Sequence, residues 1–174
     1  MDSSITVKQI DITDLNVDAI VNAANSRLRE GGGVCGAIFR KAGSSELTNA
    51  CSEIGNCETG DAVITSGFNL LAKYIIHAVG PIWQGGSNGE AKLLYNAYKH
   101  SLILAKENEC HSIGFPLISS GIYGYPKNDA WKIAIQACND FIKDNSDYPI
   151  KIIFAVLSDE SKELGENVIN RICI

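Results

Sequence analysis

The stretch VDAIVNAANSRLREGGGVCG, residues 17–36, predicts both how this chain folds and where it meets a ligand. Its first part, 17–23, is apolar and rich in β-branched residues, which is typical of a strand buried on both faces. Three glycines follow at 31–33, and a short helix is predicted at 34–41. Glycine lets the backbone approach another molecule with no Cβ in between. We therefore predict a buried strand, a ligand-binding loop and a helix, in that order.

The same alternation of strands and helices continues along the whole chain. Apolar or alternating runs predict further strands at 5–10, 61–67, 73–79, 112–119 and 150–157. Apolar residues at helical spacing, with Pro126 and Ser158 at two helix starts, predict helices at 45–54, 89–108, 126–144 and 158–172. Because the strands are apolar throughout, we predict an α/β fold, a three-layer α/β/α sandwich around a mixed, largely parallel sheet. The length of 174 residues fits a single domain over 1–174.

Composition and charge narrow the class of protein. Fifteen basic and twenty acidic residues give a net charge of −5, so we expect no nucleic-acid partner. No stretch approaches the length of a membrane span and no apolar signal segment opens the chain, so we expect a cytoplasmic protein without membrane contact. Six cysteines without a CxxC pair are expected to be free thiols, and three scattered histidines indicate no metal site. We further expect a monomer that needs no cofactor.

A second loop of small residues, SSGIYGYP at 119–126, follows the predicted strand 112–119. Ligands of parallel sheets bind beyond the carboxyl ends of the strands, and both glycine loops lead into helices. Helix N-termini offer N–H groups and partial positive charge, so two such loops facing each other would hold a diphosphate. Each loop alone can equally be a structural turn. Structural alternatives also exist for Asp11, a helix cap, and for His77, a core histidine with satisfied hydrogen bonds.

Five segments, in order, resemble the macrodomain, an ADP-ribose-binding module, and most closely its bacterial MacroD-type group. They are DIT at 11–13, VDAIVNAANSRLREGGGVCGAIFRKAG at 17–43, CETGDAVIT at 57–65, YIIHAVGPIW at 74–83 and FPLISSGIYGYPK at 115–127. The group includes ADP-ribosyl hydrolases and O-acetyl-ADP-ribose deacetylases. The resemblance therefore implies that the protein binds ADP-ribose or ADP-ribosylated proteins and hydrolyses ADP-ribose esters.

The resemblance also implies roles for single residues. Asp11, with Ile12 beside it, would accept a hydrogen bond from the adenine amino group, and Asn25 would lie near the distal ribose. The other predicted ligand-binding residues are Asn22, Gly32, Gly33, Val34, Ser119, Ser120, Gly121, Ile122, Tyr123, Gly124 and Leu157. The predicted catalytic residues are Asn25, Cys35 and Tyr123, and of the first two we expect Asn25 to carry the catalysis.

The chain departs from the MacroD pattern at residues that bear on chemistry. Cys35 stands where the group usually has aspartate, and Phe39 where it usually has histidine. Leu157 replaces an aromatic residue that many relatives carry, and Ile10 replaces a common glycine. A thiol at the start of a helix can have a lowered pKa and react, or it can simply be a small residue beside the loop. Two functions stay open, an ADP-ribosyl ester hydrolase and a non-catalytic ADP-ribose reader.

Overall fold

The chain forms six strands and five helices in a computed structural model that describes residues 2–173. The strands are β1 Ser4–Gln9, β2 Ala19–Ala23, β3 Ala62–Ser66, β4 Tyr74–Ala78, β5 Ser112–Phe115 and β6 Lys151–Val156. The helices are α1 Gly33–Ala42, α2 Ser44–Ile54, α3 Glu90–Glu107, α4 Lys127–Asp144 and α5 Asp159–Ile172. Every strand and helix predicted from the sequence is present, and a 3-10 turn at Ile12–Asp14 was not predicted.

The strands form one sheet in the order β1-β6-β5-β2-β4-β3. All neighbouring pairs are parallel except β3 and β4, which are antiparallel. The predicted mixed, largely parallel sheet is therefore confirmed. Because β1, β6, β5, β2 and β4 run the same way, the segments that follow them all emerge at one edge of the sheet.

Helices cover both faces of this sheet, as the apolar strands predict. One face packs on α3, α4 and α5 around buried aromatic residues that include Tyr98, Trp131 and Phe154. The other face packs on α1 and α2 through buried residues that include Phe39 and Leu47. The predicted three-layer sandwich is thus confirmed, and Phe39 belongs to its core with 1% of its surface exposed.

The strand predicted at 112–119 is too long, because β5 ends at Phe115. Pro116 has no N–H to give to a neighbouring strand. The buried hydroxyl of Tyr98 donates to Pro116 O at 3.3 Å and accepts from Ile118 N–H at 2.8 Å, so it takes over backbone groups that a strand would pair. Residues 116–119 therefore begin the second loop instead of extending the sheet.

Two further properties concern membrane spans and the cysteines. No helix within residues 2–173 is both long and apolar enough to cross a membrane. All six cysteines are free thiols, and all except the half-buried Cys173 are buried.

We predict that Gly165→Ala destabilises the fold by tightening the contact between α5 and α4. A Cβ at Gly165 would lie 2.7–2.9 Å from three ring atoms of Trp131, which is fully buried. Overpacking of this kind costs about 1–3 kcal/mol, which outweighs the gain of about 1 kcal/mol in helix propensity. Urea denaturation followed by circular dichroism measures the change.

Asn167→Ala, at an exposed position of the same helix, is the matched control and should leave stability unchanged or slightly higher. A free energy of unfolding for Gly165→Ala equal to that of the control would contradict this account of the α4–α5 contact.

Candidate functional site

The predicted site residues lie at the sheet edge where the parallel strands end. We name residues 24–32, between β2 and α1, the first loop, and residues 116–126, between β5 and α4, the second loop. The strand order places Asp11 after β1, Leu157 after β6, the second loop after β5 and the first loop after β2. The sheet thereby brings four separate parts of the sequence to adjacent positions along one edge.

The first loop ends in backbone that is open to the solvent. Gly32 caps the N-terminus of α1 in an extended conformation, and Gly33 has a left-handed φ of +57°. A Cβ at either glycine would meet no atom of residues 2–173 within 4 Å. Gly36 is different, since its Cβ would lie 2.5 Å from Gly31 O, so the first turn of the helix packs directly on the loop. Open backbone at a helix N-terminus suits an anionic group.

The second loop has the same open character and a strained residue. Gly121 and Gly124 each face space in which a Cβ would meet nothing within 4 Å among residues 2–173. Ser119 has a left-handed φ of +68°, which a residue with a side chain seldom adopts, and only 6% of its surface is exposed. Its Oγ is buried and has no hydrogen-bond partner in the described chain. Strain and an unpaired polar atom together are typical of a functional site.

The connection between β4 and α3 packs against the second loop. A Cβ at Gly80 would overlap Ser119 Oγ, so this glycine is needed for the close approach of the two segments. The N–H of Trp83 donates to Tyr123 O at 2.8 Å, and the Trp83 ring packs on Tyr125 with centroids 4.7 Å apart. The sequence analysis did not predict these contacts, although Gly80 and Trp83, both in the 74–83 segment, could have indicated a close approach.

A buried carboxylate fixes the same connection. Glu90, 2% exposed, accepts backbone hydrogen bonds from Gln84, Gly86 and Asn88 at 2.7–2.9 Å. These bonds, that from Gln84 first, lower the pKa of Glu90 to about 2, so the group is ionised at neutral pH. Glu90 was not predicted from the sequence because its three partners are backbone groups.

Asn25 is held within the first loop by its own side chain. Its Nδ2 donates to Arg29 O at 2.8 Å, and its Oδ1 accepts from Arg29 N–H at 3.1 Å. An amide carries two N–H groups and two acceptor lone pairs, so one of each stays available. The half-buried Asn25 can therefore donate to a ligand and accept from it at once.

Cys35 is a buried, protonated thiol. Only 7% of its surface is exposed, its Sγ donates to Arg29 O at 3.6 Å, and it accepts from Asn22 Nδ2 at 3.6 Å. Burial raises the pKa of the thiol and outweighs the hydrogen bond from Asn22, which lowers it. The pKa of Cys35 is thus raised and not lowered, as the alternative of a reactive thiol at a helix start would require, and desolvation is the largest cause.

Asn22 lies beneath the first loop, 1% exposed, with its Nδ2 3.1 Å from His77 Nδ1. His77 is fully buried, and its other ring nitrogen lies 2.9 Å from Thr65 Oγ1. Burial lowers the pKa of His77 to about 4, so the ring is neutral at pH 7. The structural alternative for His77, a core histidine with satisfied hydrogen bonds, is confirmed. The Oδ1 atom of Asn22 is buried without a partner in the described chain.

Asp11 both caps a turn and presents a free oxygen. Its Oδ1 accepts from the N–H and the hydroxyl of Thr13, at 2.9 and 2.7 Å, so the predicted alternative of a cap is correct. The Thr13 hydroxyl is the main cause that lowers the pKa of Asp11, with the backbone bond second. Its Oδ2 makes no hydrogen bond with residues 2–173. An ionised, exposed carboxylate therefore remains able to accept from a ligand amine.

The other predicted residues differ in how far they reach the solvent. Leu157 is 76% exposed directly after β6, whereas the side chain of Ile12 is buried in the core. Ile122 is 93% exposed at the tip of the second loop, and Val34 and Tyr123 are half-buried. The hydroxyl of Ser120, also half-buried, donates to Leu117 O at 2.8 Å and so stabilises the second loop itself.

Two features outside the loops concern metal ligands and surface grooves. Within residues 2–173 no three His, Cys, Asp or Glu side chains are grouped so as to hold a metal ion. A surface groove of about 590 Å³ lies between α3, α4 and α5, and another of about 560 Å³ lies between α3 and α4; no residue of either loop lines them.

Comparison with known sequences gives the family of this arrangement. The Macro domain family model matches residues 21–134. A Macro domain-containing protein of Chlorobaculum tepidum, CT2219, is 50% identical over 159 residues, which cover 91% of each chain. A protein of Salmonella newport named O-acetyl-ADP-ribose deacetylase is 49% identical over 168 residues, 94% of this chain and 93% of the relative.

Comparison with solved structures agrees. The Oceanobacillus iheyensis macrodomain with ADP has a TM-score of 0.93 at 37% identity, covering 99% of this chain and 93% of that one. The Trypanosoma brucei macrodomain in complex with ADP-ribose has a TM-score of 0.88 at 36% identity, covering 95% and 68% of the two chains. The resemblance found in the sequence is confirmed.

We predict that the free energy of unfolding decreases as the pH is lowered, because of the titration of His77. The unfolded ring takes up a proton below about pH 6.5 and the folded ring only near pH 4, so protons favour the unfolded state between these values. The free energy of unfolding should fall by about 3 kcal/mol from pH 6.5 to 4 on this account. Urea denaturation at half-unit pH steps measures the slope.

His77→Phe, which keeps a ring but removes the titrating group, is the control for this slope. The titration of Glu90 does not affect the slope between pH 5 and 6.5, because its contribution to stability is lost only below about pH 4.5. An equally steep slope for His77→Phe between pH 5 and 6.5 would show that another group is responsible.

Proposed function

Since the chain belongs to the Macro domain family, we propose that it binds ADP-ribose across the two loops and hydrolyses ADP-ribose esters. The substrates are O-acetyl-ADP-ribose, ADP-ribose linked to acidic side chains of proteins, or both. In either reaction water adds across an ester bond, and ADP-ribose and a carboxylic acid are released.

The open backbone of both glycine loops is the observation that carries this proposal. Gly32 and Gly121, on different loops, leave space where a Cβ would meet nothing within 4 Å among residues 2–173. The loops follow β2 and β5, which are neighbours in the sheet, so two N–H-rich segments can approach one ligand from two sides. A diphosphate has the charge and length to span two such segments, whereas a single phosphate does not.

The remaining parts of ADP-ribose have partners of suitable chemistry on either side. Asp11 offers its free Oδ2 to the adenine amino group, and the exposed Leu157 offers an apolar surface to the adenine ring. At the other end, Asn25 and Tyr123 face the distal ribose, which is rich in hydroxyl groups. The ligand therefore runs along the sheet edge from Asp11 through the two loops to Asn25.

Hydrolysis at this site depends on orientation more than on a protein base. Asn25 retains one N–H and one acceptor lone pair, which together hold a ribose hydroxyl or the attacking water. The neutral thiol of Cys35 is neither a strong base nor a ready nucleophile, and Phe39 supplies no proton acceptor. Positioning and preorganised hydrogen bonds account for large rate effects in such sites. The name of the Salmonella newport relative supports the same reaction.

A reader of ADP-ribose is the second candidate function. The observation in its favour is that a buried cysteine, Cys35, stands at this position and supplies no carboxylate to order water. Binding through Asp11 and the loops would be unaffected. The two functions differ only in turnover, so a hydrolysis assay separates them.

We also propose, in agreement with the expectations from the sequence, that residues 1–174 form one domain and that the protein is a cytoplasmic monomer that needs no cofactor. Both loops and Asp11 come from one chain, so the site needs no second copy. Free thiols at all six cysteines suit a reducing compartment.

We predict that Asp11→Asn weakens ADP-ribose binding by about 1–3 kcal/mol. A carboxylate has two oxygens, one for Thr13 and one for adenine, whereas an amide has only one oxygen for both. Asparagine still caps the turn, so the fold should persist. Isothermal titration calorimetry measures the affinity, expected near micromolar for the wild type, or about 8 kcal/mol.

Asp14→Asn, an exposed carboxylate in the same turn, is the matched control and should bind as the wild type does. Equal affinity for Asp11→Asn and Asp14→Asn would refute the adenine assignment. AMP binding as tightly as ADP-ribose would refute the diphosphate assignment.

We predict that Asn25→Ala reduces turnover severely, by about 10² or more, because the group that orients water or ribose is lost. Cys35→Ala should change turnover by less than about tenfold, or 1.4 kcal/mol. The assay follows release of ADP-ribose from O-acetyl-ADP-ribose and from a glutamate-modified protein. An inactive Cys35→Ala beside an active Asn25→Ala would reverse the two roles, and an inactive wild type that still binds ADP-ribose would establish a reader.

A further inference from the structure

A row of buried hydrogen bonds leads from the sheet to the first loop. Thr65 on β3, His77 on β4 and Asn22 on β2 are joined at 2.9 and 3.1 Å. Asn22 reaches Cys35 on α1 at 3.6 Å, and Cys35 reaches Arg29 O at 3.6 Å. This row, which we call the relay, crosses from one strand to the next and ends on the loop that carries Asn25.

Each hydrogen bond of the relay can be assigned one donor and one acceptor. The Nδ2 group of Asn22 gives one hydrogen to His77 Nδ1 and the other to Cys35 Sγ. With the Asn22 amide in this orientation, His77 Nδ1 is the acceptor and the ring proton lies on Nε2, which faces Thr65 Oγ1 at 2.9 Å and Cys51 Sγ at 4.0 Å. The Thr65 hydroxyl in turn donates to Ser66 O at 3.1 Å. The Cys35 proton is then free to point at Arg29 O.

The end of the relay is shared with the predicted catalytic residue. Arg29 O accepts from both Cys35 Sγ and Asn25 Nδ2, and Arg29 N–H donates to Asn25 Oδ1. The conformation of Asn25 thus depends on where the Arg29 peptide sits. The hydrogen bond from the Cys35 thiol is one of the two that Arg29 O accepts.

Reversal of the Asn22 amide would undo this arrangement. The Oδ1 atom of Asn22 is buried without a partner in the described chain, so it would readily accept a hydrogen bond if it faced the other way. With Oδ1 toward α1, the thiol proton of Cys35 would turn to Asn22 and leave Arg29 O. The amide orientation is coupled to the His77 ring: an acceptor at Nδ1 pairs with the N–H of Asn22, whereas a proton on Nδ1 would pair with the oxygen of the reversed amide.

We propose that His77 is a positioning residue for the hydrolytic reaction: it fixes the Asn22 amide, which directs the Cys35 thiol to Arg29 O and so holds Asn25 in place. This inference rests on the proposed function for its effect on turnover. It gives His77, which lies away from the ligand, a role beyond filling the core. It also gives Cys35 a role as a hydrogen-bond bridge instead of a nucleophile.

The test compares two substitutions of His77 with opposite effects on the acceptor. His77→Phe removes the acceptor, and His77→Asn retains an oxygen near the position of Nδ1. We expect the kcat of His77→Phe for O-acetyl-ADP-ribose to be about five- to tenfold lower than that of the wild type. This reduction is smaller than the ~10²-fold reduction that a 1 Å misplacement can cause. The Kd for ADP-ribose should stay within about twofold, because the phosphate loops are untouched. His77→Asn should recover part of kcat.

Hydrogen exchange of the Arg29 amide gives a readout independent of turnover. Its N–H is bonded to Asn25 Oδ1, so its exchange should quicken by about tenfold in His77→Phe and less in His77→Asn. Ser101→Ala, which removes a buried hydrogen bond within α3 far along the chain, controls for general loss of stability and should leave this exchange unchanged. Thr65→Val, which removes the acceptor of the Nε2 proton, should quicken it as well and serves if His77→Phe does not fold.

Three results would overturn the proposal. They are wild-type exchange at Arg29 in a folded His77→Phe or Thr65→Val, no difference between His77→Phe and His77→Asn, or the same change in Ser101→Ala. If the wild type binds ADP-ribose but shows no turnover, the proposed hydrolysis fails, and the exchange data still decide whether His77 positions Asn25.

Discussion

The parallel pairing of β2 between β5 and β4 is the constraint on which the site depends. β2 pairs with β4 over five residues from Ala19↔Tyr74 and with β5 through Ala19↔Ile113 and Ile20↔Gly114. This register brings the ends of all three strands to one edge, so the first loop, the second loop and the Gly80 segment become neighbours. A strand inserted between β2 and β5 would separate the two loops that are proposed to share one diphosphate.

Burial then decides the chemistry of the groups that the strands bring together. Cys35 keeps its proton because a thiolate would lose its hydration, and His77 stays neutral for the same reason. The site therefore contains two groups that are often catalytic but are here uncharged. Two carboxylates, by contrast, are ionised through hydrogen bonds: Asp11 through Thr13, and Glu90 through three backbone N–H groups. The carboxylate of Asp11 is the one proposed to bind adenine, whereas that of Glu90 holds the connection between β4 and α3.

The two loops are also stabilised in different ways. The first loop is fixed by side chains of the loop itself and of the helix that follows it, chiefly Asn25 in the loop and Cys35 in α1. The second loop is fixed from outside, by the Tyr98 hydroxyl, the Gly80 approach and the Trp83 N–H. A ligand that bridges them would link a sheet-anchored segment to one that rests on α3 and the β4–α3 connection.

The amino-acid sequence was enough to predict the succession of strands and helices along the chain, the three layers, both glycine loops and the family. These follow from local patterns: apolar runs, helical spacing and glycines are properties of neighbouring residues, and several motifs occur in order. The tertiary structure alone decided that β5 ends at Phe115, because Tyr98 binds backbone 18 and 20 residues away. It alone placed Asn22 against His77, 55 residues apart, and raised the pKa of Cys35. Desolvation and the pairing of buried polar atoms depend on what surrounds a residue in space, which no short stretch of sequence records.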